Sequence, residues 1–171
     1  MNRALWALIV LAAAAGSLAP AAAADCDRAC LRGWADSYFA AQAAHDAAKL
    51  KIASDAQFTE NGRALKFGEG FWKTAGKPAG FNLTVADPEQ ESVAVYTVVK
   101  ENGKSDPVLM LLRLKLKDGA IREAETLITR KAEVGDFFAP QNMKVVPPSF
   151  LQSIRPAEQD SRLQLMATAD G

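Results

Sequence analysis

Four side chains are suited to exchange protons with a substrate: Glu60, Glu125, His45 and Tyr38. Glu60 stands two residues after Phe58 in an alternating segment, and alternate residues of a strand point to the same face. If Phe58 faces inward, Glu60 does so too. A carboxylate on an apolar inner face has a raised pKa and can act as a general base or acid. The alternative is a solvated carboxylate at the end of the strand.

Tyr38 and His45 belong to one predicted helix, and their spacing from Trp34 places all three residues on one face of it. A neutral imidazole suits proton transfer at neutral pH. The tyrosine hydroxyl could donate to a developing oxyanion, and Trp34 would contact the substrate beside it. The structural alternatives are a histidine that packs at the helix end beside Asp46 and a tyrosine that belongs to the core.

Glu125 is a candidate in only one of two strand registers. If Ile121 points inward, Glu123 and Glu125 point inward as well, which is costly unless they are used or paired. The opposite register buries Ala124 and its alternate neighbours and leaves both glutamates in solvent. Arg113 is flanked by leucines; it could pair with one of these glutamates in the site or lie on the outer face of the sheet.

Turn residues supply the other candidate substrate contacts. Asn61-Gly62 lies between alternating segments and predicts a hairpin turn, which accounts for Asn61, with a ligand contact as the alternative. Glu-Asn-Gly recurs at 101–103, where we predict only a turn. Trp72 follows a glycine-rich stretch and could stack on a ring-bearing ligand or plug the core. Thr74 is a polar candidate beside it.

Charge and cysteine content exclude several classes of protein. The chain has 20 Lys+Arg and 20 Asp+Glu residues, which argues against nucleic acid or an anionic membrane as the main partner. Cys26 and Cys30 are the only cysteines and there is one histidine, so we expect no metal site. In an oxidising compartment the two cysteines could form a local disulfide; the alternative is two free or intermolecular thiols.

The chain divides into three segments. Residues 1–24 have a positive start, an apolar stretch and a small-residue cleavage pattern, which predicts a signal peptide and a periplasmic or secreted protein without a membrane anchor. Residues 25–132 form the predicted domain. Residues 133–171 are a linker and a C-terminal helical extension, with a helix at 160–169, that either docks on the domain or begins a missing second repeat.

Hydrophobic periodicity predicts an α+β domain in which a curved antiparallel sheet wraps around a long N-terminal helix. The last four strands should form a meander whose leucines at 112, 114 and 116 share one face. The predicted elements are a helix at 27–45, a short helix at 47–53, a hairpin at 57–60 and 63–67, a helical turn at 71–74, a loop at 76–80, and strands at 81–86, 92–100, 108–117 and 121–130.

The element order and the segment W-A-D-S-Y-F at 34–39, followed by His45-Asp46, resemble the NTF2-like or SnoaL-like superfamily. The segments C-D-R-A-C-L, F-T-E-N-G, G-E-G-F-W-K-T-A and A-I-R-E-A-E-T resemble an exported group of unknown-function domains within it. The resemblance implies a cone-like fold with a pocket between the sheet and the helix. Members of the superfamily include isomerases, dehydratases, cyclases and non-catalytic modules, so the fold does not fix the function.

Two functional hypotheses follow. The first is an exported enzyme that needs no cofactor and moves protons on a small apolar or aromatic molecule, as an isomerase, a dehydratase or a retro-aldol type lyase. The second is a non-catalytic exported ligand-binding or interaction module. In either case the outer sheet face could form a homo-dimer or trimer.

Overall fold

The computed structural model describes residues 26–134 and 140–170. Helix α1 precedes six strands, and two short helices follow them. The bounds are α1 Arg28–Ala43, β1 Ile52–Glu60, β2 Arg63–Leu65, β3 Ala75–Asp87, β4 Ser92–Glu101, β5 Val108–Lys117, β6 Ala120–Thr129, α2 Lys131–Val134 and α3 Arg162–Asp170. The predicted signal peptide lies outside the described residues. Within them, no helix combines the length and apolar character needed to span a membrane.

Helix α1 begins where the sequence predicts it. The side chain of Asp27 accepts a hydrogen bond from the Cys30 N–H at 2.8 Å and caps the first turn. A disulfide joins Cys26 to Cys30, so the local pairing is present and ties the residue before the cap to the first turn. The buried face of α1 consists of Leu31, Ala35, Tyr38, Phe39, Ala41 and Gln42.

The six strands form one sheet in the order β2-β1-β6-β5-β4-β3. The predicted meander from β3 to β6 is confirmed, and β1 joins its free edge by pairing parallel to β6. Leu112, Leu114 and Leu116 are buried, as their shared face requires. The inner face of the sheet packs against α1 and forms one apolar core with it.

Two predicted elements are wrong. The short helix at 47–53 is absent: Asp46 caps only a 3₁₀ turn, Ala47–Lys49, and β1 begins at Ile52. The reason is long-range pairing, because the carbonyl of Lys51 accepts a hydrogen bond from the Ile121 N–H in β6 at 2.9 Å. The predicted loop at 76–80 belongs to β3, where the register shifts on both sides of Pro78, consistent with the N–H that proline lacks.

Part of the C-terminal extension docks on the outer face of the sheet. Met143 and Val146 pack against a second cluster formed by Phe81, Val98 and Leu109. Farther along, an ion pair joins Arg162 to Asp87 at the end of β3. The large apolar side chains of the rest of the extension are exposed; they include Phe150, Leu151, Ile154, Leu163, Leu165 and Met166.

Candidate functional site

A 3₁₀ turn, Gly70–Lys73, fills the space between α1 and the inner face of the sheet; we call it the plug turn. It inserts Phe71 and Trp72 into the core, where their exposed fractions are 2 % and 0 %. Gly68 and Gly70 have positive φ angles of 91° and 64°, which glycine adopts without a steric penalty. The glycine-rich stretch therefore folds back and directs the indole inward.

The indole of Trp72 pairs with Tyr38 of α1. Its Nε1–H donates to the Tyr38 hydroxyl at 2.9 Å, and the two rings meet edge to face with centroids 5.1 Å apart. Burial is the main cause that raises the pKa of Tyr38, and the nearby charge of Glu60 raises it further. Tyr38 therefore stays protonated at physiological pH. Its oxygen accepts the hydrogen bond from Trp72, so the hydrogen of its hydroxyl remains available to donate to another group.

Glu60 lies on the inner face with Phe58, as the alternation predicts. Its Oε2 accepts a hydrogen bond from the Phe71 N–H at the start of the plug turn, at 2.9 Å. The carboxylate also touches Gly70 closely: a Cβ at that position would lie 2.6 Å from Oε1 and 2.8 Å from Oε2. Residue 70 must therefore be glycine for Glu60 to reach the plug turn in this geometry.

His45 does not share a helix face with Trp34 and Tyr38, and this expectation is wrong. Helix α1 ends at Ala43, and His45 has a left-handed φ of 54°. The His45 N–H donates to Gln42 O and the next N–H, of Asp46, donates to Ala41 O. This is a Schellman motif, which satisfies the last carbonyls of the helix, and it turns His45 out of the helix.

The imidazole of His45 instead contacts the plug turn from outside. Its Nδ1 lies 2.5 Å from the carbonyl oxygen of Trp72, and its Nε2 lies 3.3 Å from Nδ2 of Asn102. A carbonyl can only accept and an amide nitrogen can only donate. These two contacts therefore fit a neutral imidazole that carries its proton on Nδ1.

The second Glu-Asn-Gly copy is more than a turn, which corrects the prediction for 101–103. Glu101 is 8 % exposed and accepts two hydrogen bonds from Arg130, at 2.9 and 2.8 Å, and one from the Thr74 hydroxyl at 3.0 Å. The Asn102 N–H donates to the Thr74 carbonyl at 2.7 Å. This copy therefore anchors the end of the plug turn.

Three polar contacts from different elements hold the backbone of residues 71, 72 and 74. They come from Glu60 at the end of β1, from His45 after α1, and from Asn102 after β4. The guanidinium of Arg130 adds a contact 5.9 Å from the centroid of the Phe71 ring. The plug turn is thus held in place by a polar latch, which we define as Glu60, His45 and Asn102.

Glu125 lies on the opposite side of the sheet from Glu60. Strand β6 adopts the register that buries Ala124 and Thr126, so Glu125 and Glu123 face outward. There they pair with Arg113 at 3.0 and 2.9 Å. The structure therefore does not bring Glu60 and Glu125 into one cavity.

The side chain of Asn61 is hydrogen-bonded to the backbone of the sheet. It has a left-handed φ of 48° in the hairpin turn, and its amide exchanges two hydrogen bonds with the backbone of Ile128, at 3.0 and 2.7 Å. Both polar groups of the amide thus continue the parallel pairing of β1 with β6. Trp34 is half-buried at the edge of the core.

Gln42 is a residue of interest that the sequence reasoning missed. It is 1 % exposed, and neither its Oε1 nor its Nε2 has a hydrogen-bond partner among the described residues. The sequence feature that could have indicated Gln42 is its position on the apolar stripe of α1, four residues after Tyr38.

No group of three or more His, Cys, Asp or Glu side chains is arranged to hold a metal ion within 26–134 and 140–170.

Solved structures with similar chain traces carry varied descriptions. AclR of Streptomyces galilaeus, a candidate hydroxylase, is 14% identical over 63% of this chain and 94% of its own, with a TM-score of 0.48. A candidate polyketide cyclase from Sinorhizobium meliloti is 22% identical over 55% and 93%, with a TM-score of 0.43. An NTF2-like protein of unknown function from Cytophaga hutchinsonii is 12% identical over 62% and 95%, with a TM-score of 0.46.

At such identities no activity is carried over from these proteins. No curated protein matches the chain. A family model described as a domain of unknown function, DUF8021, matches residues 24–128, more than half of the sequence. The chain therefore belongs to the DUF8021 family of domains of unknown function.

Proposed function

We propose that this protein binds a small apolar or aromatic molecule between α1 and the inner face of the sheet and transfers a proton on it without a cofactor. Isomerisation, dehydration and a retro-aldol type cleavage all require this chemistry. The observation that carries the proposal is the position of Glu60, a carboxylate on the inner face that accepts a hydrogen bond from the Phe71 N–H, next in the chain to the Trp72 that pairs with Tyr38.

Glu60 is the proposed base. Its Oε2 accepts a hydrogen bond from the Phe71 N–H while the plug turn is in place, and displacement of that turn by a substrate makes the carboxylate available to accept a proton. Tyr38 is the proposed oxyanion donor, because its buried hydroxyl keeps its hydrogen. His45 contacts the backbone of the plug turn, so we assign it a positioning role.

A substrate would reach this space by displacing the plug turn. Trp72 is fully buried there, yet its segment is held by the polar latch, without strand pairing of its own. Moving the plug turn exposes Phe71 and Trp72, which are 2 % and 0 % exposed in the closed form, so burial of the ligand in their place must offset that loss. We expect binding to move Trp72 and to bring the Tyr38 hydroxyl into contact with the ligand.

The experiment is deuterium exchange at the α-carbon of 1-indanone, an apolar aromatic ketone, followed by NMR in D₂O. A positioned general base contributes roughly 10²–10⁴-fold, so Glu60→Gln should lose acceleration of that order. Glutamine can still accept from the Phe71 N–H, so the melting temperature should stay near that of the wild type. Glu125→Gln is the matched control on the outer face and should exchange like the wild type.

Equal exchange rates for the wild type and Glu60→Gln would refute the assignment of the base.

The second candidate, a non-catalytic ligand-binding module, is favoured by the closure of the interior, since Phe58 is 3 % and Trp72 0 % exposed. It predicts calorimetric binding of 1-indanone with no exchange above the solvent rate.

We further propose that the protein is exported to the periplasm or the cell exterior. The disulfide between Cys26 and Cys30 supports this location, because disulfides persist in oxidising compartments. Mass analysis of the protein recovered from its native compartment tests it. A chain that starts near residue 25 and carries an oxidised cysteine pair is the expected product.

A further inference from the structure

The buried amide of Gln42 has no hydrogen-bond partner among residues 26–134 and 140–170. Gln42 belongs to the same face of α1 as Leu31, Ala35 and Tyr38, so its side chain points into the space between the helix and the sheet. Both of its polar atoms are inaccessible, and neither has a hydrogen-bond partner among the described residues. Nearly all buried polar groups in proteins are paired, so an exception calls for a cause.

We infer that Gln42 is a ligand-anchoring residue, which binds the polar group of the molecule that enters when the plug turn moves. This inference rests on the proposed function, because it concerns the same interior. A methionine or leucine of similar volume would pack there without leaving a donor and an acceptor unsatisfied. An amide at this position therefore makes the free protein less stable, and a ligand that pairs with it removes that penalty.

The geometry indicates the chemical class of this ligand. The amide presents an N–H donor and a carbonyl acceptor side by side, so it fits a molecule with an acceptor next to a donor. Tyr38 is one helical turn away, about 5–6 Å between Cβ atoms, and offers a second donor. An aromatic lactam, whose ring N–H lies beside its carbonyl, matches all three groups.

The test combines stability with binding for Gln42→Met, with Gln42→Leu as a second apolar variant. The free variants should melt several degrees above the wild type, since an unsatisfied amide has been replaced by apolar atoms. Calorimetry should show that the wild type binds isoindolin-1-one at least about tenfold more tightly than Gln42→Met, which corresponds to about 1.4 kcal/mol. For 1-indanone, which has a CH₂ group in place of the lactam N–H, the difference should be smaller.

A fall in melting temperature for both variants would overturn the inference, because the amide would then be structural. Equal affinity of the wild type and Gln42→Met for isoindolin-1-one would overturn it as well, as would absence of binding to the wild type. Failure of the proposed function is distinguishable. If Glu60→Gln exchanges like the wild type while Gln42 still discriminates the two probes, the role of Gln42 as ligand anchor is supported and the role of Glu60 as base is refuted.

Discussion

Replacing Gly70 by alanine tests whether Glu60 and the plug turn form one unit. The new Cβ would lie 2.6 and 2.8 Å from the two carboxylate oxygens of Glu60 and 2.8 Å from Cδ1 of Leu65. Cβ atoms in folded proteins essentially never make contacts this short, so the Glu60 side chain must move. Its hydrogen bond to the Phe71 N–H should break as a result.

Two terms set the expected size of the effect. A left-handed backbone costs an L-residue about 1–2 kcal/mol relative to glycine, and Gly70 has a φ of 64°. Loss of a hydrogen bond to a charged group adds about 1.5–3 kcal/mol. We therefore expect Gly70→Ala to lower the free energy of unfolding by about 2.5–5 kcal/mol.

Gly62→Ala is the matched control, because Gly62 has a φ of 76° and a Cβ added there would meet no atom within 4 Å. It should show only the backbone term of about 1–2 kcal/mol. Urea unfolding of the oxidised protein, followed by circular dichroism, measures both variants. Glu60→Ala should remove most of the additional effect of Gly70→Ala, so the double variant should be less destabilised than the sum of the single ones. Equal losses for both glycines, or additivity in the double variant, would refute the coupling.

Two further predictions concern the residues around the plug turn. Hydrogen bonds from Arg130 are the main cause that lowers the pKa of Glu101 below its ordinary 4.5, so the ion pair stabilises the protein above that pH and its contribution disappears as the pH falls through the lowered pKa. Melting curves between about pH 6 and 3 should therefore show that the stability difference between the wild type and Glu101→Gln becomes smaller toward acid pH. A difference that stays constant would contradict this. Asn61→Gly keeps the left-handed turn but loses the two bonds to Ile128; it should cost about 1–3 kcal/mol in urea unfolding, and an unchanged midpoint would show that these bonds contribute nothing.

The sequence predicts most of the framework because local signals and the sheet agree there. Alternation in β5 places Leu112, Leu114 and Leu116 inside, the Asp27 cap marks the start of α1, and Asn61-Gly62 marks the hairpin. The start of β1 is predicted wrongly for a different reason. Residues 47–53 favour a helix locally, but pairing with β6, far along the chain, determines their conformation.

The site is predictable only where it depends on strand alternation. Phe58 fixes the direction of Glu60, so the face on which Glu60 lies is predicted correctly. His45 is misplaced because the end of α1 depends on a left-handed turn that periodicity does not show. The role of Glu101 and Asn102 in holding the plug turn is missed because it arises from contact with Thr74, which lies 27 positions before Glu101.

The parallel pairing of β1 with β6 also shapes how the domain folds. The two strands meet across a sequence separation of 67 residues at Asn61 and Ile128, so their pairing brings the two ends of the domain sequence together. Such non-local contacts raise contact order and slow folding, because the entropy of closing a long loop is lost before the contact forms. Until then the β1–β2 hairpin has an open edge that can pair with other chains. Glu60 is the last residue of that strand, so its position in the candidate site depends on this long-range pairing.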